Sequence, residues 1–524
     1  MHVQETTQAP DQQNNLLLTL VENLVQCALD HDARVQVAAM SALGVVVEHF
    51  QQILVPFLQP IYQHLMQCLA MYTGRSLLIL YDVMGVLADV LGPVTATPQL
   101  LDIYLPPLLT KWETMLTLAS THNTELDRSC LPLLESLAFV ASASGSHLQS
   151  HALRLFNLCM ATTECCTLHV ALLQSEPNSR HRAREEDSDA TVCALDVLDG
   201  VVEALGSSFP SLLEASAAHG PAFPSLLRAS CIHDAPSVRM SAFALLGDLA
   251  RRAPQTLGAE ALGEMLARTV ENVGGELHVG VCNNAVWALG EVAVRCGRDA
   301  TLLQPHAPQI LQRLVPLLRP PATGISPPGL AENVAAALGR LAGVDHRLVG
   351  PVLEEPRLFI AWCDGLARVA DPQERRDAFV GLVAAIRAQP GVLVGTVTGS
   401  CGEEVKAGRV AVAMALVFAV ASWHVPLSTM LEEEGEATVT GGQPQHLEEG
   451  NGGARGLTSE LLYGPSYRFV AFPEEMASTL GKELQGLLVD LREALMGGGD
   501  WDRVQKQCPV NVRKLFREHY QLMM

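Results

Sequence analysis

Apolar residues recur along this 524-residue chain in a helical pattern that returns about eight times. The stretch at residues 31–44 reappears with one insertion at residues 233–247, and its later part reappears at 281–290 and 330–339. We take the last residue of each match as a frame position and place the other frames by the same pattern. The frames are Gly44, Gly85, Ala138, Asp199, Gly247, Gly290, Gly339 and Gly381. Their spacings lie between 41 and 61 residues, which is typical of HEAT-type helical pairs.

Apolar residues occupy the positions one before and two after each frame and, in the first seven repeats, the position five before it. At about 100° per residue these three positions share one face of a helix. We interpret this face as the buried side of the second helix of each pair. The sequence therefore predicts an all-α, ARM-like fold, a HEAT-repeat right-handed superhelical solenoid of about eight to ten helical pairs.

Breaks in this pattern predict the domain organisation. We expect a disordered N-terminal segment at residues 1–15, followed by a HEAT-repeat arch at residues 16–425. A polar insert at about 175–189, predicted as a loop, explains the longest spacing. Residues 426–456 are rich in Glu and Gly and indicate a flexible acidic loop, and residues 457–524 are expected to form closing helices.

The opposite face of the predicted second helices carries repeated acids. Positions three before, one after and four after a frame lie nearly opposite the buried stripe. Acidic residues at these positions are Glu48, Asp82, Asp89, Glu135, Asp196, Glu203, Asp248 and Glu291. Trp287 falls on the same face and is expected to be exposed there, although a neighbouring repeat could bury it. In a stacked array this face lines the concave side, so the acids predict a groove for an extended basic peptide, although an ordinary solvated helix face has the same pattern.

Net charge restricts the class of partner. The chain has 35 Lys and Arg against 56 Asp and Glu, a net charge of −21. Nucleic acid is therefore not an expected partner, because its phosphates would be repelled. No signal peptide is recognised, and the apolar run at 410–421 is too short to cross a membrane, so a membrane is not expected as a partner either. Thirteen cysteines without regular spacing favour a reducing compartment.

Catalytic and metal motifs are weak throughout. We find neither a Walker loop nor a strand-led GxGxxG, and we predict no enzyme activity and no cofactor. Cys159, Cys165, Cys166 and His169 share a helical spacing, but cysteine is a common small core residue. No metal site is predicted.

Several stretches resemble the transportins, importin-β-superfamily import receptors for cargo with proline–tyrosine nuclear localisation signals. The similar segments follow one another in the family's order. They are residues 77–82, 243–249, 281–291, 332–333, 338–341 and 362–363, with Trp501 near the end. The resemblance covers most of the chain and is to the C-terminal, cargo-binding half of the family.

This resemblance implies a set of cargo-binding positions. Matching the family's acidic patch for the basic part of the signal are Glu48, Asp82, Asp89 and Glu135. Matching its surface for the upstream basic or hydrophobic part are Val192, Asp196, Asp248, Val279, Asn284 and Trp287.

The resemblance also implies the partners. These are cargo proteins with basic, proline–tyrosine signals, nucleoporins, and Ran-GTP only through an N-terminal half that has no counterpart in this chain. The implied location is the cytoplasm and the nucleus, with shuttling through the nuclear pore. The alternative from another class is a static HEAT-repeat scaffold, such as a phosphatase subunit, without Ran-controlled transport. A hydrolase built on helical repeats has no supporting motif.

Overall fold

The structure is a computed structural model, and it consists of helices joined by short connections. It describes residues 10–122, 124, 126–172, 177–274, 278–297, 299–318, 329–394, 403–423, 479–497 and 499–522; for 10–15, 169–172, 177–186, 394 and 403–407 it describes the backbone alone. No strand occurs in these ranges. The chain divides into two compact units, Met1–Met265 and Leu266–Met524.

Five helical pairs make up the described part of the first unit. Its helices are α1 (Pro10–Ala28), α2 (Ala33–His49), α3 (Gln51–Leu54), α4 (Leu58–Met71), α5 (Gly74–Leu91), α6 (Pro98–His122), α7 (Cys130–Ser144), α8 (Gln149–Leu172), α9 (Pro177–Leu205), α10 (Phe209–Ala215), α11 (Phe223–Cys231) and α12 (Pro236–Arg252). The second helices of the pairs are α2, α5, α7, α9 and α12, and each packs against the next in chain order.

The same arrangement continues in the second unit. After α13 (Ala259–Asn272), which spans the unit boundary, its helices are α14 (Val279–Cys296), α15 (Ala307–Leu317), α16 (Leu330–Val344), α17 (Gly350–Glu354), α18 (Pro356–Leu366), α19 (Pro372–Ala388), α20 (Glu403–Ser422), α21 (Thr479–Met496), α22 (Asp500–Gln507) and α23 (Val510–His519). Here α14 packs against α16, and α16 packs against α19. The predicted all-α fold of helical pairs is confirmed.

The predicted buried stripe is the core of the stack. In the first seven repeats, every position five before, one before and two after the frame is buried. Leu80, Leu133 and Leu338, for example, are each fully buried. The eighth frame is misplaced, because Val380, predicted to be buried, is 43% exposed while Leu382 and Ala385 are buried. In α19 the buried face therefore lies two residues further along than the Gly381 frame implies.

Two predicted boundaries differ from the structure. Helix α1 begins at Pro10, inside the segment predicted as disordered, and α9 begins at Pro177, so residues 177–189 are helical and not a loop. The polar residues at the start of α9 continue a helix whose later residues are packed in the core. Residues 426–456, predicted as a flexible loop, lie outside the described residues, as do 457–478 of the predicted closing segment.

Two apolar helices belong to the core. By length and composition alone, Gly74–Val94 is sufficient to cross a membrane. However, α5 packs between α2 and α7, and its Leu80, Tyr81 and Leu87 are fully buried. The apolar run at 410–421 lies within α20 and is mostly buried, as predicted.

Candidate functional site

Acidic side chains are exposed along the second helices of the first unit. Six of the predicted polar-face acids are exposed to solvent here: Glu48 on α2, Asp82 and Asp89 on α5, Glu135 on α7, and Asp196 and Glu203 on α9. Consecutive second helices pack side by side, so equivalent positions on them are neighbours. The acids therefore form a row across the repeats and do not lie on unrelated surfaces.

Three of these acids, together with Asp189, lie close enough for their charges to interact. Burial raises the pKa of Glu135 above its ordinary value, and the negative charges of Asp82, Asp189 and Asp196 raise it further. These residues come from α5, α7 and α9. We call Asp82, Glu135, Asp189 and Asp196 the acidic face. Mutual repulsion of this kind is relieved when a cation approaches.

Partial burial acts on two further members of the acidic face. Burial raises the pKa of Asp82. Burial also raises the pKa of Asp196, and a hydrogen bond with Ser241 of α12 offsets part of that rise. Asp196 is exposed by area, yet surrounding side chains remove enough water from its carboxylate to disfavour the charged form. Asp189 was missed by the sequence reasoning because it falls in the segment predicted as a loop. Its spacing of seven residues from Asp196 was the available signal.

A second, more deeply placed pair of carboxyl groups adjoins the acidic face. Asp248 on α12 is only 9% exposed, which corrects its predicted place on a solvent-facing surface. Burial, together with the charge of Glu203, raises the pKa of Asp248 to about 6, against the opposing effect of Arg252 and Arg251. Asp199 on α9 has a strongly raised pKa, first from burial and then from the charge of Asp248. The two carboxyls interact directly, which favours one bound proton between them.

The remaining predicted residues of the first unit lie on α2, α5 and α9, outside this charge group. Asp89 lies two turns after Asp82 on α5, and Glu48 lies at the end of α2. Neither contributes to the raised pKa of Glu135. Val192 is half-buried, one turn before Asp196.

In the second unit, three predicted residues lie together on α14. Val279 is 48% exposed at the start of the helix. Asn284 is half-buried, and its side-chain oxygen accepts a hydrogen bond from the amide of Asn283 at 3.5 Å. Asn283 in turn accepts one from Asn333 of α16 at 3.0 Å.

Trp287 is held by a residue that sequence reasoning did not select. Its indole ring is half-buried, and its Nε1–H donates a hydrogen bond to Oε1 of Glu374 at 2.6 Å. Glu374 belongs to α19, 87 residues further along the chain. The indole is therefore only partly exposed, and it makes the contact with a neighbouring repeat that the sequence left as the alternative. No local signal around residue 374 points to this contact, because it depends on how α14, α16 and α19 stack.

A buried guanidinium connects these helices. Arg340 on α16 lies 2.8 Å from Glu291 on α14 and 4.0 Å from Glu374 on α19. The carboxylate of Asp377 lies 3.8 Å from the same guanidinium. Glu291, predicted on the exposed face, is 3% exposed. Three carboxylates from two helices thus surround one buried cation.

Among the described side chains, no group of three or more His, Cys, Asp or Glu residues has a geometry that could hold a metal ion.

The chain is similar in sequence to curated transportins. It is 35% identical to Transportin-1 of Oryza sativa subsp. japonica over 389 residues, which cover 72% of this chain and 40% of the relative. It is 33% identical to Transportin-1 of Homo sapiens over 385 residues, covering 73% and 40%. With Transportin of Dictyostelium discoideum the identity is 30% over 371 residues, covering 71% and 37%. The chain thus spans about 40% of the length of the relatives it matches, and no family model matches it.

Solved structures of similar fold include two of importin β. One, obtained in a polyethylene glycol condition, has a TM-score of 0.56 at 15% sequence identity and covers 92% of this chain and 55% of that protein. The other, obtained in an ammonium sulfate condition, has a TM-score of 0.54 at 15% identity, covering 95% and 53%. Likeness at this identity shows the HEAT-repeat solenoid fold that the repeated register predicts.

Proposed function

This chain belongs to the transportin family over the segment that it shares with these relatives, and we propose that the segment binds nuclear localisation signals of cargo proteins. The signals are basic peptides that contain a proline–tyrosine pair. The bound cargo is carried through the nuclear pore, so the protein shuttles between cytoplasm and nucleus and makes contact with nucleoporins. The role is that of a receptor and not of an enzyme.

One observation supports a basic ligand above others. The carboxylates of Asp82, Glu135, Asp189 and Asp196 come from three neighbouring helices, and the pKa of Glu135 is raised by burial and then further by the charges of the other three. Clustering of like charges costs stability unless a partner compensates it. An arginine- or lysine-rich peptide lying across α5, α7 and α9 supplies that compensation at several repeats simultaneously.

Residues from the family resemblance extend this proposal. In the first unit, Glu48, Asp82, Asp89 and Glu135 receive the basic part of the signal, with Val192, Asp196 and Asp248 beside them. In the second unit, Val279, Asn284 and Trp287 offer a mixed apolar and polar surface. Control by Ran-GTP is assigned to the N-terminal half of the family and not to the segment described here.

The test is direct binding of a labelled peptide. Fluorescence anisotropy of a fluorescein-labelled peptide, rich in arginine and ending in Pro-Tyr, is measured with the full chain, with Asp82→Asn/Glu135→Gln, and with Glu22→Gln/Glu214→Gln as the control. Glu22 on α1 and Glu214 on α10 are exposed acids that do not belong to the second helices. We expect binding that weakens about tenfold or more in the first variant and is unchanged in the control.

The same peptide with glutamine in place of each arginine is the matched ligand control. Equal affinity for both peptides, or equal effects of the two double variants, contradicts a cargo-binding acidic face. Absence of peptide binding, together with stable capture of folded partner proteins, is the result expected of the static scaffold.

A further inference from the structure

The backbone of Glu374 is held by the N-cap of its own helix, independently of Trp287. It lies at the third position of α19, where the backbone N–H donates to Oδ1 of the N-cap residue Asp371 at 2.8 Å. Acids at this position commonly turn back to the cap backbone. Here Oε1 of Glu374 accepts the indole N–H instead, and the side chain is 12% exposed.

A second helix anchors the same carboxylate. The guanidinium of Arg340 lies 4.0 Å from Oε1 of Glu374 and is itself 1% exposed. It pairs with Glu291 at 2.8 Å, so its position is set by two helices. Glu374 therefore presents its acceptor oxygen at a place defined by α14, α16 and α19 together.

The hydrogen bond has a physical consequence for the indole. The χ2 torsion of tryptophan has a broad minimum, so packing on one side alone leaves the ring some freedom. A donor–acceptor bond at 2.6 Å to a fixed carboxylate removes much of it. A ring that is already ordered loses less side-chain entropy when a ligand packs on it.

We propose that Glu374 is a positioning residue for Trp287, holding the indole in the orientation in which its accessible part contacts a cargo side chain. This rests on the proposed cargo-binding function. Glu374 acts through the indole and does not need to touch the cargo. The competing explanation is that the bond serves only to join α14 to α19.

The bond itself is tested without any ligand. The chain has five tryptophans, so TROSY spectra of protein labelled with ¹⁵N-tryptophan contain few indole signals. The variant Trp287→Phe identifies the Trp287 signal by its loss. We expect that signal upfield in Glu374→Ala, where the carboxylate acceptor is gone, and closer to its original position in Glu374→Gln. Glu354→Ala, which removes an exposed glutamate of the same unit, is expected to leave it unchanged.

The positioning role is tested by a double-variant cycle in affinity. Anisotropy with the arginine-rich Pro-Tyr peptide is measured for the full chain, Trp287→Ala, Glu374→Ala and the double variant, below the lowest melting temperature of the four. Trp287→Ala is expected to weaken binding about 2- to 30-fold. Glu374→Ala is expected to weaken it within the same range, but to have no effect once Trp287 is absent.

Trp287→Phe keeps an aromatic ring and removes the donor, so it repeats the test without altering Glu374. It is expected to weaken binding as Glu374→Ala does, whereas Glu374→Gln retains an acceptor and should restore affinity to within about twofold of the original.

The outcomes separate the two proposals. An equal effect of Glu374→Ala with and without Trp287, or an unmoved Trp287 signal, overturns the positioning role while leaving cargo binding intact. Peptide that fails to bind the unsubstituted chain overturns the proposed function, and the cargo role of Glu374 with it. A large loss of melting temperature with unchanged peptide affinity assigns the bond to helix packing alone.

Discussion

Arg340 and Glu291 form an ion pair of 2.8 Å in which the two side chains are 1% and 3% exposed. Both residues immediately follow a frame position, Gly339 and Gly290, on the face that the pattern assigns to solvent. The guanidinium lies over Gly290, where an added Cβ would meet Nη1 of Arg340 at 3.1 Å. In these repeats the position after the frame therefore faces the neighbouring second helix.

Removing one member of this pair is expected to be costly. Arg340→Ala removes the buried guanidinium that pairs with Glu291 at 2.8 Å, and we expect a loss of about 3–5 kcal/mol in unfolding free energy of the second unit. Urea denaturation followed by circular dichroism measures it. The double replacement Glu291→Met/Arg340→Leu removes both charges and should cost much less. A double variant as unstable as Arg340→Ala would contradict the charge explanation.

Close contact between α16 and α19 gives a second test of the fold. A Cβ added to Gly381 would overlap the carbonyl oxygen of Gly339, and both helices are packed too tightly to separate without loss. Gly381→Ala is expected to lower the unfolding free energy by roughly 2 kcal/mol or more. Gly486 on α21 has no heavy atom within 4 Å of an added Cβ. Gly486→Ala is therefore the matched control and should stabilise the chain by about 0.5–1 kcal/mol, which a thermal melt detects.

Local periodicity accounts for how far the fold could be predicted. The three buried positions around each frame depend only on the angular spacing of a helix, so Leu80, Leu133 and Leu338 were assigned correctly. The register of α19 differs from the prediction, because the pattern treats Gly381 as equivalent to the other frame glycines. In the structure it marks the crossing of two helices.

The exposure of a site residue could be predicted only where it depends on the position of that residue within its own helix. Asp82, Glu135 and Asp196 are exposed as the pattern requires. The burial of Asp248 and the bond from Trp287 to Glu374 depend on neighbours from other repeats, up to 87 residues away. The spacing within one repeat contains no information about such contacts.

Neutralising Asp248 is expected to stabilise the first unit at neutral pH. Its folded-state pKa of about 6 lies above the ordinary value near 4 for an unfolded chain. The folded state therefore binds the proton more tightly, and stability is lost as pH rises from about 4 through 6. Asp248→Asn should raise the unfolding free energy by roughly 1–3 kcal/mol at pH 7.5 and change it little at pH 4. Urea titrations at the two pH values, with Glu22→Gln as the exposed control, measure the difference. A variant less stable than the original at pH 7.5 would refute this sign.

Association with a basic peptide should depend steeply on salt. Exposed charges are screened beyond about 8 Å at physiological ionic strength, so steering by the acidic face weakens as salt is added. We expect the association rate of the arginine-rich Pro-Tyr peptide to fall roughly tenfold from low to high salt. Asp82→Asn/Asp89→Asn removes two exposed carboxylates from α5 and should reduce both the rate at low salt and the slope. The dissociation rate should change less, because peripheral charges act mainly on encounter. Stopped-flow fluorescence at several salt concentrations separates the two rates, with Glu22→Gln/Glu214→Gln as the charge-matched control. An association rate that does not vary with salt in the unsubstituted chain would exclude electrostatic steering by these acids.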